Sequence, residues 1–503
     1  MSDLLLIAPM AAEERALKAR APGARVVRSG VGPRRARRAA TSLANARAAG
    51  VAVAGFGGAL SPELEPGELV VATELRARDG SVRAQCPGAE VIAAMLRRAG
   101  LRVHTGPITS VRSPVLGAGA RARLRSSSGA IAADMESAWL APAAAGRPFV
   151  VVRAILDAPD SEPWHPFSAL RSVISATNAL QAAAGVLGEW ANVISPRELV
   201  LAAPRASCAG VERAIEVVER TLDRYGPPVY MRKQIVHNHH VVSELERRGA
   251  VCVDELDEVP DGATVVFSAH GVSPQVREQA RRKELNVIDA TCPLVSKVHA
   301  EARRFADDGY SIVLVGHGGH EEIEGTAGEA PNHVTVIASA EEVDGLDVDD
   351  PGRVAYLTQT TLAVDETKGV VSRLRERFPD IVGPRSDDIC YATQNRQDAV
   401  KALARSCDLV LVVGSRNSSN SNRLVEVAER HGCKARLLDE QSDVDPHWFE
   451  GVERVGVTAG ASSPERIMRR VAGALEVLGP VSVSEHAVAA EEVKFTLPRE
   501  VRA

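Results

Sequence analysis

The sequence predicts an α/β protein built in two successive parts. Short apolar runs of strand length alternate with amphipathic stretches of helical period, and each run ends in a polar or Gly-rich loop. A chain of 503 residues is long enough for about two to four domains, each with its own core. The pattern changes near residue 195, where a long helical stretch stops at Ser195-Pro196 and a new apolar run begins.

In the first part, VAVAGFGGAL reads as a strand entering a Gly-rich loop at Gly55–Gly58, and SGVGPRRA as a second Gly turn. IAADMESAWLA runs into a helix, and FVVVRAILDAPD reads as a buried strand ending in Asp157. LQAAAGVLGEWANVI has apolar residues recurring at three and four, the mark of a helix. The boundary falls at about 192–198, which gives a first domain over 1–195 and a second over 198–498.

The second part repeats one plan. LVLAAPRASCAGVERAIEVVERTL, NVIDATCPLVSKVHAEARRFA, SIVLVGHGGHEEIEG, LVLVVGSRNSSNSNRLVEVAERH and RVGVTAGASSPERIMRRVAGAL each read as strand, polar loop and helix. Such units form parallel sheets whose ligands sit at the carboxyl ends of the strands. The weak internal similarity predicts about three small α/β units around one centre, with one cysteine loop for each.

Composition excludes several function classes. The formal net charge of −5 supplies no basic field for nucleic acid. Met1–Arg20 carries no signal-peptide pattern, and no apolar run approaches the roughly 20 residues that span a bilayer. A sparse, odd set of seven cysteines without a targeting segment fits a reducing cytoplasm.

Three of those cysteines, Cys208, Cys292 and Cys390, follow apolar runs in short polar or Gly/Pro-rich segments. Loops after buried strands can converge, and three converging thiolates hold an iron–sulfur cube by three corners. A free cysteine is also a common small apolar core residue, and that reading is given to Cys86, Cys252, Cys407 and Cys433. No C-x-x-C pair occurs, which argues against a zinc ribbon or a thioredoxin-like site. Spacing alone leaves both readings of the three loop cysteines open.

Other loops cluster polar side chains: His237, His239 and His240; His270; His317, His320, Glu321, Glu322 and Glu324; Thr358, Thr360 and Thr361; Ser415 to Asn422; Thr458, Ser462 and Ser463. Singly, such residues are loop or cap residues. Together, neutral donors and imidazoles at several strand ends suit a compact polyanion such as a diphosphate. The His and Glu loops also leave open a mononuclear metal hydrolase with no cluster.

PRASCAGVERAI, IVHNHHVV, FSAHGVSP, DATCPLVSKVH, GHGGHEEIEGT, TQTTLAVDET, GPRSDDICYATQNRQ, GSRNSSNSNRL and GVTAGAS, in that order over about Leu199–Pro498, resemble the 4-hydroxy-3-methylbut-2-enyl diphosphate reductase family. The resemblance implies the last step of the methylerythritol phosphate route: reductive dehydroxylation of an allylic diphosphate to isopentenyl and dimethylallyl diphosphate. It implies one 4Fe–4S cluster per chain on Cys208, Cys292 and Cys390, with the fourth iron open to the substrate. It implies Glu322 as proton source with Thr360, and His320 in the proton network or on the diphosphate. His237, His270, Ser418, Ser419, Asn420 and Ser462 would hold the diphosphate. An external electron donor of the ferredoxin, flavodoxin or NADPH-linked kind is implied as well. The chain departs from the family pattern at Ala206-Ser207, usually Gly-Phe; at Arg232-Lys233-Gln234, usually R-H-E; and at Ala327, usually Met.

The first part, over about Leu4–Val193, resembles the nucleoside phosphorylase and methylthioadenosine nucleosidase superfamily. That resemblance implies Glu136 on the ribose hydroxyls, Asp157 as the acid that protonates the departing purine, and Glu13 as the carboxylate that positions water. The family's R-x-x-S-D is R-A-I-L-D here, with Leu156 in place of Ser. A non-catalytic ligand-binding first domain is the alternative.

Overall fold

The computed structural model describes residues 4–159 and 166–502. Met1–Asp3, part of the segment read for a targeting signal, and Asp160 at the end of the FVVVRAILDAPD run lie outside the described residues. Packing divides the chain into two compact units. One comprises residues 1–199, 440–455 and 469–484; the other comprises 200–439, 456–468 and 485–503.

The first unit alternates β1 (Leu4–Ala8), α1 (Ala11–Lys18), β2 (Arg25–Arg28), α2 (Pro33–Leu43), β3 (Gly50–Ala59), β4 (Leu69–Arg76), β5 (Val82–Gln85), α3 (Ala89–Arg98), β6 (Val103–Ser110), α4 (Ala118–Ser128), β7 (Ala132–Asp134), α5 (Ser137–Leu140), β8 (Phe149–Asp157) and α6 (Pro166–Asn192). Its eight strands form one mixed sheet in the order β2-β1-β3-β7-β6-β4-β5, with β8 paired to β3 and β4. Every residue of β1 is buried, as expected of a central strand covered on both faces. The C-terminal segments are fastened to this unit through polar side chains. The indole N–H of Trp190 donates to the Val477 carbonyl at 2.9 Å, and Arg197 donates to the carbonyls of Val193 at 2.7 Å and Phe449 at 3.1 Å.

The second unit continues through β9 (Arg197–Ala203), α7 (Ala209–Tyr225), β10 (Val229–Arg232), α8 (His239–Arg247), β11 (Ala250–Val253), β12 (Thr264–Phe267), α9 (Pro274–Arg282), β13 (Asn286–Asp289), α10 (Pro293–Asp307), β14 (Ser311–Val315), α11 (Glu321–Glu329), β15 (Val334–Ile337), β16 (Val354–Thr358), α12 (Val364–Arg377), α13 (Tyr391–Ala404), β17 (Leu409–Val413), α14 (Ser419–Arg430), β18 (Lys434–Leu438), β19 (Arg454–Ala459), α15 (Glu465–Ala474) and β20 (Val481–Ala487). Three small sheets result, in the orders β11-β10-β12-β13, β15-β14-β16 and β18-β17-β19-β9-β20. The first two are parallel throughout. Each sheet contributes one cysteine loop: Cys208 follows β9, Cys292 follows β13, and Cys390 follows β16 and α12.

The helices form because their apolar residues recur at helical spacing toward a sheet. In α7, Val211, Ala214, Val217, Val218, Thr221 and Leu222 are all buried. Gly226 ends that helix with φ of 74°, a conformation that costs glycine little.

Candidate functional site

All three loop cysteines occupy the same local position. Cys208 is the N-cap of α7, Cys292 of α10 and Cys390 of α13. A helix start offers unpaired N–H groups and the positive end of the helix dipole. At Cys390 the sulfur accepts from the Thr393 N–H at 3.3 Å and lies 3.1 Å from the Thr393 hydroxyl.

The three sulfurs also converge. Burial is the main cause that pushes the Cys292 thiol up to about 12, and the Cys208 and Cys390 thiols beside it push the same way. Cys390 is pushed up to about 11, again mainly by burial and then by Cys208. Gly210 shows how tight the space is: a Cβ there would stand 2.8 Å from Cys292 Sγ and 3.8 Å from Cys208 Sγ. Cys252 lies in β11, and Cys86, Cys407 and Cys433 are buried in apolar clusters.

Next to the thiols lies Glu322, in the first turn of α11 and 2% exposed. Its Oε1 accepts the Thr360 N–H at 2.7 Å. Burial raises its pKa above the ordinary carboxylate value, and the Thr360 contacts only partly offset this. The Thr360 carbonyl in turn accepts the Cys390 N–H at 3.1 Å. Glu322 and Cys390 therefore share one backbone anchor.

Imidazoles form the adjoining wall. His237 stacks on His270 with centroids 4.0 Å apart, and His320 meets both rings edge-on at 5.2 and 5.8 Å. Burial pushes His237 down to about 3 and His320 down to about 4, so both are neutral near pH 7. His320 Nδ1 accepts the Glu322 N–H at 3.1 Å, which leaves the ring hydrogen on Nε2 as a donor. His270 Nδ1 lies 3.2 Å from Glu321 Oε2.

Hydroxyls and an amide close the other side. Ser418 caps α14, and Ser462 donates to the His237 carbonyl at 3.1 Å and lies 3.3 Å from Ser418 Oγ. Thr361 donates to Ser419 Oγ at 3.2 Å. Among the described residues, neither ring nitrogen of His237 and neither side-chain polar atom of Asn420 has a hydrogen-bond partner. Buried polar groups left open in this way suit a ligand that would pair them.

Two further groups could hold an ion by proximity: His237, His270 and Glu321, and His239, His240 and Asp439. The first set coincides with the imidazole wall. The second is tied up internally, with His239 Nδ1 3.1 Å from Asp439 Oδ2 and His240 Nε2 3.2 Å from the Asp439 carbonyl.

In the first unit, Glu13, Glu136 and Asp157 line one cavity of about 310 Å³ together with Met10, Phe56, Met135 and Leu156. Glu13 accepts the N–H groups of Met10 and Phe56, each at 2.6 Å. Glu136 accepts the Gly32 N–H at 2.8 Å. Burial raises the pKa of both carboxyl groups, and the Arg153 charge opposes it. Gly55 is confined by this pair: a Cβ there would fall 2.5 Å from Glu13 Oε1 and 2.6 Å from Arg153 Nη1.

Sequence reasoning missed two arginines that hold the carboxyl groups around this cavity. Arg153 is fully buried, bonds Asp134 Oδ2 at 2.8 Å and stands 3.9 Å from Glu136. A charge inside the apolar run FVVVRAILD was the available signal, since a buried arginine requires a partner. Arg121, 2% exposed in its side chain, pairs with both oxygens of Asp157 at 3.1 Å. Nothing local in AGARARLRSSS distinguishes Arg121 from its neighbours.

Residues 199–476 match the model of the family described as LytB protein, and residues 21–188 match that of the Phosphorylase superfamily. The chain is 59% identical over 307 residues to the 4-hydroxy-3-methylbut-2-enyl diphosphate reductase of Leifsonia xyli subsp. xyli (strain CTCB07), covering 61% of this chain and 91% of that protein. It is 58% identical over 308 residues to the reductase of the same name from Rhodococcus jostii (strain RHA1), covering 61% of this chain and 92% of that one. Among solved structures it resembles the E-1-hydroxy-2-methyl-but-2-enyl-4-diphosphate reductase from Plasmodium falciparum, at 38% identity and a TM-score of 0.59, over 61% of this chain and 97% of that one.

Proposed function

The chain belongs to the LytB family over residues 199–476, and from that membership we propose that its second unit reduces 4-hydroxy-3-methylbut-2-enyl diphosphate to isopentenyl and dimethylallyl diphosphate. The observation that carries the reading is the meeting of three cysteine N-caps from three sheets beside the buried Glu322, whose pKa burial raises.

The donor set fits a 4Fe–4S cluster. Three soft thiols in a tight space, each at a helix start, suit a cluster that keeps one iron free of protein ligands. Cys208, Cys292 and Cys390 would hold it, and it would supply two electrons, one at a time, and a Lewis-acidic position. Because burial keeps Cys292 and Cys390 protonated as free thiols, loading them releases protons.

The remaining work falls to side chains. Glu322, whose pKa burial raises, would deliver a proton to the departing hydroxyl oxygen, with Thr360 fixing its carboxyl. His237 and His320, neutral at pH 7, would donate N–H bonds to diphosphate oxygens. His270, Ser418, Ser419, Asn420 and Ser462 would complete the cradle, helped by the N–H groups at the start of α14. Neutral donors bind a polyanion without needing a fixed counter-charge. An external electron donor of ferredoxin, flavodoxin or NADPH-linked type would feed the site.

The sparse, odd cysteine set supports a reducing cytoplasm as the place of work. No helix among the described residues is long and apolar enough to cross a membrane.

For the first unit, residues 21–188 carry a phosphorylase-like domain. Glu13, Glu136 and Asp157 on one cavity support cleavage of an N-glycosidic bond, with Glu136 on the ribose and Glu13 on the attacking nucleophile. Asp157, held in place by Arg121, would protonate the departing base. We place the working boundary between the two activities at 195–198.

The test is anaerobic purification with iron and sulfide analysis, followed by turnover of the allylic diphosphate with a chemical reductant. About four iron and four sulfide per chain with formation of both products is expected from a single cube. Iron without sulfide, or no iron, would overturn the reading.

A further inference from the structure

Two residues before Cys208 the backbone takes an unusual turn. Ala206 has φ of 62°, one of four non-glycine residues with positive φ among the described residues. A residue with a Cβ is disfavoured there relative to glycine by about tenfold. Ala206 is 4% exposed, so this conformation is enclosed by packing and not left to solvent.

The Ala206 N–H donates to the Ala459 carbonyl at 3.3 Å, and a single guanidinium grips the Ala206 carbonyl. Arg396 is fully buried, and its Nε and Nη2 both donate to the Ala206 carbonyl, at 3.1 and 2.7 Å. Its Nη1 donates to the Ala392 carbonyl at 2.9 Å and to the two oxygens of Glu491 at 3.0 and 3.3 Å. Arg396 lies on α13, the helix that Cys390 caps. The arginine thus ties the turn before one thiol to the helix that begins at another. Glu491 comes from the C-terminal segment, is 15% exposed in its side chain, and also accepts from Asn395 Nδ2 at 3.1 Å.

We propose that Arg396 is a positioning residue for the thiol centre. Its fork fixes the left-handed turn at Ala206 that aims Cys208 toward Cys390, and Glu491 neutralises its charge beside the sulfurs. The proposal rests on the three cysteines holding a cluster. Lysine cannot replace the fork, because one ammonium does not offer two parallel donors to a carbonyl and two more to a carboxylate and a helix carbonyl. Loss of the Glu491 charge would leave a net buried cation near the cluster, which favours its reduced, more negative state.

The experiment uses the full chain, reconstituted anaerobically, as wild type, Arg396→Lys, Ala206→Gly, the double variant and Glu491→Gln. Iron release to a ferrous chelator and the midpoint potential of a redox titration are measured. Arg396→Lys is expected to release iron about tenfold faster, on the scale of the turn it no longer holds. Adding Ala206→Gly is expected to restore release to within about twofold of wild type, since glycine adopts the turn unaided. Glu491→Gln is expected to keep its iron and show a more positive potential. Wild-type release from Arg396→Lys, a double variant no better than Arg396→Lys, or an unmoved potential in Glu491→Gln would each overturn the proposal. Should Arg396→Lys fail to fold, recovery by Ala206→Gly supports it, and failure of the double variant while Ala206→Gly alone folds overturns it. A wild type without iron defeats the cluster reading instead. The rate of Cys208 alkylation then decides: faster in Arg396→Lys supports the positioning role, and equal rates overturn it.

Discussion

Glu322 and Cys390 are attached to the backbone of one residue: the Thr360 N–H donates to Glu322 at 2.7 Å, and the Thr360 carbonyl accepts from the Cys390 N–H at 3.1 Å. The group that would hold the proton and one thiol that would hold the metal are thus set in register by backbone, which no side-chain exchange at position 360 can remove. This shared anchor makes the roles of the two residues separable by mutation.

Replacing Glu322 by Gln should leave iron content and substrate binding unchanged while turnover falls at least ~100-fold, the usual scale for a positioned general acid. Gln can still accept the Thr360 N–H but has no proton to deliver. Single-turnover measurements with a pre-reduced protein would check it, and wild-type rates would place the acid elsewhere.

Cys208→Ser, Cys292→Ser and Cys390→Ser should each lose most bound iron, while Cys252→Ser and Cys433→Ser should keep it. A neutral hydroxyl does not replace a thiolate corner. Iron and sulfide analysis of the five proteins decides the matter, and equal contents across them would remove the three-thiol assignment.

Acid stability should carry the mark of His237. Its folded-state pKa of about 3 lies below the ordinary 6.5, so the unfolded chain takes up the proton first. The stability tied to the neutral ring is present above about pH 6.5 and is lost as pH falls toward 3. Between pH 7.5 and 5.0 this amounts to about 2 kcal/mol. Urea unfolding at the two pH values should show a drop smaller by that amount in His237→Gln than in wild type. Parallel drops would mean that the ring is not held neutral.

In the first unit, Asp157→Asn should abolish base release and leave reductase turnover intact, because an amide cannot pass a proton to a departing purine. Glu136→Gln should weaken nucleoside binding by removing a charge-assisted acceptor of the ribose hydroxyls. Assays with and without phosphate over a panel of adenosine derivatives distinguish phosphorolysis from hydrolysis. Silence of the folded wild-type protein on that panel would favour a ligand-binding domain.

Much of this arrangement is written locally in the chain. The apolar runs ending in polar loops mark β9, β13, β14 and β17 directly, and the LytB motifs follow one another in order along the sequence without a large gap. The alternation predicts three small sheets with a cysteine loop each, and the structure has them. What stayed hidden are long-range pairings. Arg396 meets Ala206 and Glu491 across 190 and 95 positions, and Arg121 meets Asp157 across 36. Their helices are amphipathic with or without those partners, so no local pattern announces them. The packing of residues 440–455 and 469–484 with the first unit is hidden for the same reason, since Trp190 and Arg197 reach their carbonyl partners only after folding.

The placement of the three cysteines on three sheets also bears on how the chain holds its shape. From Cys208 to Cys292 is 84 positions, and from Cys292 to Cys390 is 98. A group bound to all three sulfurs ties these intervals into two closed loops. For cross-links closing loops of this length, the unfolded chain gives up about 4–5 kcal/mol of conformational freedom per closure. Removing the group would untie both at once. The chain without it should unfold at lower urea concentration in its second unit, while the first unit, whose sheet contains none of the three, should melt where it did before.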